Sequence, residues 1–315
     1  MNSVITLNLA RRAMRDPSLR RELAAASRIT TAAAVTLAHG DRFKLRLGGL
    51  THLSTASAQA LARHQGQQLV LSGLREISAA VAAALSRYRG RDLLLGLTKL
   101  PPPVAAELAR FRGSLTFSAL DDLSLETARA LAKHQRALHL PGLKVLSTET
   151  AAGLAARQCD LQLAGLKSLS RPAARFLAMN RHAGLNLSGL TVISAPTLAE
   201  FVSHRGVLQL GGLTELSPEC AKQFSDHRGL LSLSGITKLS TATAQALAPH
   251  RGVLGLTSLR RVPPRTAREL ARHRGEFWLE GFADLSRVAA HVLEPVPQLH
   301  WFLGHSPVWM DKLAG

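Results

Sequence analysis

Aromatic residues are scarce in this chain: one tyrosine, three tryptophans and nine phenylalanines in 315 residues. A core cannot be built on rings at that frequency. The 46% of apolar residues must do the packing as Leu, Ala, Val and Ile, and that content is too high for a disordered chain. Cysteine is scarcer still. Cys159 and Cys220 lie far apart and neither belongs to a C-x-x-C pair, which excludes a disulfide framework and a zinc site and points to a reducing, cytoplasmic setting. No run of eighteen apolar residues occurs, so a membrane span is not expected. The first residues do not read as a secretion signal, because the apolar "SVITLNLA" precedes the charges of "RRAMR" rather than following them. Catalytic signatures are missing as well. There is no H-E-x-x-H, G-x-x-x-x-G-K-[ST], G-x-S-x-G or G-x-G-x-x-G. We therefore expect no catalytic residues, no cofactor, no metal and no small-molecule substrate. Acidic residues are also under-represented, and the formal charge is +18. Such an excess suits a polyanion, an acidic partner, or simple solubility.

What is abundant is repetition. The phrase "LSLSGITKLSTATAQALAPHRG" (231–252) recurs in eleven copies beginning at Leu45, Leu69, Leu93, Leu115, Leu138, Leu161, Leu185, Leu208, Leu231, Leu254 and Phe277, mostly 23 residues apart. A fixed period of that size means a repeat array. Each copy opens L-x-L, a three-residue alternation that suits a short strand with both leucines on one face. A glycine then permits a bend. An apolar residue and a serine follow, as in Leu123-Ser124 and Leu239-Ser240, and the serine reads as a helix N-cap. Pro172, Pro196, Pro218 and Pro264 fall in the first turn, where a missing N–H costs nothing, while Pro101 and Pro263 stand in place of the serine.

A helix of about ten residues is expected next, with alanine at its first buried slot and leucine three positions on, one apolar stripe. Leu198 alone breaks the alanine row, and Phe201 and Phe224 replace the leucine. The helix closes at His-Arg-Gly in residues 204–206, 227–229, 250–252 and 273–275, where the glycine reads as a left-handed cap and the cation complements the dipole. A (β/α)₈ barrel spends roughly 250 residues on eight units of about thirty, so 23-residue units favour an open array.

With "LHLPGLKVLS" (138–147) as its nearest match, the chain resembles the leucine-rich repeat family over residues 45 to about 290, closest to the bacterial class with 23-residue repeats. It departs from the family pattern in placing His-Arg-Gly where a leading leucine stands and Leu or Ile where an asparagine ladder runs. The resemblance implies an α/β fold: an open, right-handed solenoid shaped as a horseshoe, with parallel strands on the concave side, short helices on the convex side, and protein binding as the default role. Residues 1–43 read as an N-terminal cap holding one degenerate copy (Ile29 to His39). Residues 44–286 are the eleven repeats, and 287–315, with Trp301, Phe302 and Trp309, a C-terminal cap.

Binding information belongs where the repeat leaves the letter free. The middle position of L-x-L carries Arg46, Val70, Leu94, Thr116, His139, Gln162, Asn186, Gln209, Ser232, Gly255 and Trp278. Of these, Arg46, His139, Gln162, Asn186, Gln209 and Trp278 are the candidate contacts to a protein partner, with Lys44 at the basic end and Glu276 and Glu280 beside Trp278. The same row could be an ordinary solvated sheet face. A second row, Arg89, Arg112, Arg181, Arg205, Arg228, Arg251 and Arg274, recurs after the loop histidine. It is either helix-end charge kept in water or, as the alternative function, an edge for nucleic acid, where phosphate neutralisation needs no base reading. The histidines of that loop interchange with Tyr88 and Phe111, which marks a packed ring rather than a metal ligand.

Overall fold

The computed structural model describes residues 3–40, 44–279, 287–293 and 299–301. The chain divides into two compact units, Met1–Gln162 and Leu163–Gly315.

In the first unit the leucines of each L-x-L lie in short parallel strands. Leu45–Arg46, Gln68–Leu71, Asp92–Leu95, Ser114–Phe117, Leu138–His139 and Leu161–Gln162 pair in that order, each with the next repeat. Ahead of them, Val4–Ile5 pairs in parallel with Arg28–Ile29, with the helices Leu7–Arg15 and Thr31–Ala38 beside them. In the second unit Leu185–Asn186, Leu208–Gln209, Leu231–Ser232, Leu254–Gly255 and Phe277–Leu279 continue in the same manner. Pairing runs past residue 286: Leu299–Trp301 pairs with Phe277–Leu279. Phe302, Trp309 and Glu280 lie outside the described residues. Parallel strands alternating with short helices make this an α/β solenoid of the leucine-rich-repeat type. Among the described residues no helix is long and apolar enough to cross a membrane.

Local chemistry explains each unit. Ser54, Ser78, Ser124, Ser147, Ser170, Ser194, Ser217 and Ser240 all cap a helix by accepting a bond from the N–H three residues on. Pro101 and Pro263 hold the cap position without a side-chain bond. The helices of the eleven copies span five to eight residues, shorter than the expected ten. The shortest, Ala195–Ala199 and Pro218–Lys222, belong to the two copies carrying Phe201 and Phe224, fully buried rings just beyond the helix end. Leu198, in the first of these, is also fully buried, so the larger side chain at the alanine slot coincides with a shortened helix rather than being expelled.

One polar device ties repeat to repeat. The capping serine donates to a threonine three residues on, and that threonine donates to a leucine carbonyl in the preceding repeat. Thr127 reaches Leu100 at 2.8 Å, Thr150 reaches Leu123 at 2.7 Å, and Thr243 reaches Leu216 at 2.9 Å. Buried hydroxyls are thereby satisfied in both directions.

The loop glycines correct a sequence expectation. Gly206, Gly229, Gly252 and Gly275 are not in the left-handed region. They are needed because neighbouring loops nearly touch. A Cβ on Gly229 would lie 2.7 Å from the Arg205 carbonyl oxygen and would run into the Gly206 carbonyl. Glycine here is a demand of stacking, not of φ.

Stacking also explains the histidines. In the first unit His64, Tyr88 and Phe111 stack face to face, with centroids 6.4 and 5.9 Å apart. In the second, His204, His227, His250 and His273 form a buried ladder with steps of 6.2, 5.5 and 5.4 Å. His227 Nδ1 and His250 Nε2 share a hydrogen bond of 3.2 Å. Burial, then the neighbouring rings, pushes the His250 pKa down to about 3; burial, then His204 and Arg205, pushes that of His227 down to about 4. Both are neutral in the folded chain. Arg157 takes the same slot in its repeat. It is 2% exposed, and its guanidinium donates to the carbonyls of Leu131, His134, Arg136 and Asp160 at 2.6–3.3 Å. Burial lowers its pKa to about 10, which leaves it charged at neutral pH.

Two expectations follow from this packing. Gly229→Ala should cost about 2 kcal/mol, the scale of overpacking, whereas Gly255→Ala, whose Cβ would meet nothing nearer than 3.7 Å, should leave stability unchanged or raise it by about 0.5 kcal/mol. Equal urea midpoints for the two variants would contradict the stacking account. For the ladder the sign is fixed by depressed pKa values: its stability is whole above the unfolded histidine pKa of roughly 6.5 and is lost as pH falls toward the folded values. At pH 5 each of His227 and His250 should cost about 2 kcal/mol relative to pH 7.5. His250→Phe keeps a ring that the slot accepts at Phe111 and should reduce the acid-induced drop in melting temperature; an unchanged drop would show that this ring does not carry it.

Candidate functional sites

The strand register decides what faces outward. In the first unit Arg46, Val70, Leu94, Thr116, His139 and Gln162 align on successive strands, and in the second Asn186, Gln209, Ser232, Gly255 and Trp278 do the same. The flanking leucines are buried. Arg46 is exposed, the other middle positions are half-buried, and Gly255 is buried. The period-two reading of L-x-L therefore holds.

The two faces differ in chemistry. On the first, Lys44 and Arg46 are both exposed and basic. Burial holds the His139 pKa down, opposed by Asp92 and Asp160. The Gln162 side chain makes no hydrogen bond among the described residues. On the second, Asn186 Oδ1 accepts from the Ser188 N–H at 2.9 Å, which leaves its amide hydrogens as donors. Ser188 Oγ accepts from the Gly211 N–H of the next repeat at 3.3 Å. Gln209 and Ser232 make no side-chain hydrogen bond among the described residues. Beyond them Gly255 pairs in register with Trp278. Each face thus carries unused amide or hydroxyl groups held on a rigid strand, which can accept and donate to a ligand but form no nucleophile–base pair.

The arginine row is exposed throughout: Arg89 and Arg112 in the first unit, Arg181, Arg205, Arg228, Arg251 and Arg274 in the second. Arg205 turns back onto the Val202 and His204 carbonyls at 3.0 and 3.4 Å, the helix-end role expected of a cation there. The other six side chains make no hydrogen bond or ion pair among the described residues. In the second unit the adjoining histidine rings, from His204 to His273, stack at 5.4–6.2 Å per repeat. In the first unit the row stops at Gln135 and Gln158.

Among the described residues no three His, Cys, Asp or Glu side chains are grouped to hold a metal ion. Sequence reasoning passed over Arg63 and Arg87, which stand beside Arg89 in a groove at two adjacent helix ends. Their signal was a recurrence: Arg63, Arg87, Arg110 and Arg272 each follow the buried helix leucine by two positions.

Among solved structures, the fold is similar to an internalin of Listeria monocytogenes at 14% identity, covering 94% of this chain and 93% of that one, with a TM-score of 0.46. It is similar to a leucine-rich repeat protein of Leptospira interrogans at 14% identity, 96% and 95% coverage and a TM-score of 0.41. It is also similar to a chain of the Drosophila Toll–Spätzle complex at 12% identity, covering 93% of this chain and 42% of that one, with a TM-score of 0.49. No protein-family model and no curated protein matches the sequence. The leucine-rich-repeat type rests on the chain's own repeat and strand register.

Proposed function

We propose that the protein is a non-enzymatic repeat scaffold that binds a protein partner through its strand faces, by Arg46, His139 and Gln162 in the first unit and Asn186, Gln209 and Trp278 in the second. One observation carries this reading. The register sets out polar side chains with hydrogen-bonding groups left unused among the described residues, the Gln162 and Gln209 amides and the amide hydrogens of Asn186, and beyond Gln209, two strands past Ser232, it places a tryptophan, a residue type that often anchors interfaces. The free thiols of Cys159 and Cys220 support a reducing, cytoplasmic setting as part of the same proposal.

A second reading has its own support. Arg181, Arg228, Arg251 and Arg274 are exposed and carry no counter-charge among the described residues. Like charges a repeat apart lie within the screening length of about 8 Å at physiological salt, so an external polyanion, nucleic acid foremost, would relieve their repulsion.

The two readings part on mutation. A partner that co-purifies from the native cell and survives nuclease should lose affinity by tenfold or more on combined Gln162→Ala, Asn186→Ala and Trp278→Ala, while Arg205→Gln, Arg228→Gln and Arg251→Gln together leave it within twofold. The second reading expects the reverse. The arginine variant should flatten the log–log salt dependence of DNA retention by about 2 to 3 units, near one per lost phosphate contact. A partner indifferent to the strand-face variant would overturn the first reading.

A further inference from the structure

In the first unit a groove of about 670 Å³ lies between the C-terminal ends of the helices Thr55–Leu61 and Ala79–Leu85, lined by Gln59, Arg63, Gln65, Ala84, Arg87 and Arg89 among others. All three arginines are exposed, and none of their side chains makes a hydrogen bond or ion pair among the described residues. No carboxylate is among the lining residues.

The repeat supplies comparisons for this groove. Arg63, Arg87, Arg110, Lys133 and Arg272 occupy one slot, two residues past the buried helix leucine, and Lys133, like Arg63 and Arg87, has an alanine (Ala130) three residues earlier. At Arg110 the guanidinium is neutralised by Glu107 at 2.8 Å, and at Arg272 by Glu269 at 3.0 Å, both three residues earlier on the same helix. The equivalent positions beside Arg63 and Arg87 are Ala60 and Ala84. The two repeats that form the groove keep the cation and drop its carboxylate. The replacement leaves both guanidiniums without a counter-charge on their own helix, and Ala84 lines the groove where a carboxylate would have stood.

We infer that the groove is a binding site for a compact ligand carrying two or more adjacent phosphate groups, with Arg63, Arg87 and Arg89 taking its oxygens by paired N–H bonds and Gln59 and Gln65 as neutral donors. Guanidinium forks fit phosphate oxygens two at a time. Three of them exceed what one phosphate needs, and a groove of this volume is on the scale of pockets for small ligands, roughly 300–1,000 Å³. The opposing field is smaller. Two helix C-termini bring about half a negative charge each, against three full positive ones. The patch is also short on its C-terminal side. Arg110 is already paired to Glu107, and beyond Arg112, one further unpaired cation, the loop row ends at Gln135. A short cluster suits a compact anion better than an extended strand. The inference is independent of the strand-face reading and of the arginines in the second unit.

The test is titration calorimetry of the full chain with inorganic tripolyphosphate at 150 mM salt, with orthophosphate and a short single-stranded DNA for comparison. Tripolyphosphate should bind at least tenfold more tightly than orthophosphate. Combined Arg63→Gln and Arg87→Gln should weaken it tenfold or more, and Arg228→Gln with Arg251→Gln should leave it within twofold. Ala84→Glu supplies the internal carboxylate that the slot already accepts at Glu107 and Glu269, and should also weaken binding tenfold with no fall in melting temperature. Absent binding, equal loss from both arginine pairs, or tighter binding of the oligonucleotide through the same residues would each overturn the assignment. The first two would leave only the diffuse field of a basic protein, and the third a nucleic-acid surface.

Discussion

A single 23-residue unit contributes a strand of two to four residues and a helix of seven or so, and neither can satisfy its own edges. What the rest of the structure depends on is backbone pairing between successive repeats, in which each short strand finds its hydrogen-bond partners one period away. That pairing holds the stack at a spacing near 5 Å, the separation of neighbouring strands. Every other slot must then tolerate a copy of itself at the same distance. Alanine at the first buried helix position, flat rings at the helix end and glycine in the loop are solutions to one steric problem posed at three radii. Serine and threonine solve the matching polar problem by passing a hydrogen bond back to the previous repeat.

The ring slot shows how far this constraint reaches into chemistry. A histidine repeated at 5.4–6.2 Å cannot be a row of cations, because each charge would be buried against the next. Burial therefore keeps His227 and His250 neutral, and they stack as tyrosine and phenylalanine do in other repeats. Arg157 is the informative intruder. It fills the slot with a plane of similar breadth, and its charge is tolerated because carbonyl oxygens from four residues converge on it. Charge-assisted bonds of that number offset a desolvation that a lone buried cation could not survive.

Much of this was legible in the letters. Period, strand, serine cap and buried stripe follow from composition rules that act within a few residues, and a repeat prints each rule eleven times. What escaped were rules that act across a period. Gly229 looks like a left-handed cap to any local reading, since the atom that forbids a side chain belongs to Arg205 and Gly206, twenty-odd residues away. Thr150 looks like a neutral helix residue until its partner, Leu123, is seen 27 positions back. The helices came out shorter than ten residues, and the two shortest are those where Phe201 and Phe224 replace the buried leucine. The outward strand positions were readable by alternation alone, but their unused donors were not, because only coordinates show that Asn186 spends its carbonyl on Ser188 while Gln209 spends nothing.

The groove was hidden for a different reason: its signature is a missing letter. In an array where a cation recurs at one slot, Glu107 and Glu269 show the neutralised form of that slot. Against them Ala60 and Ala84 are inconspicuous letters, because alanine is common everywhere else on these helices, and only the structure shows the groove beside them. A net charge of +18 says that cations outnumber anions, but not where. The solenoid supplies the where. Every slot has copies that serve as its controls: Arg110 and Arg272 show how the same cation is neutralised within its own helix, and the groove lies where two unneutralised arginines fall in adjacent repeats. The strand face has no such internal standard, because its middle positions change from repeat to repeat by nature. A repeat protein thus reports its sites in two ways: by variation where the fold is indifferent, and by adjacency where unneutralised copies of one cation meet at a groove.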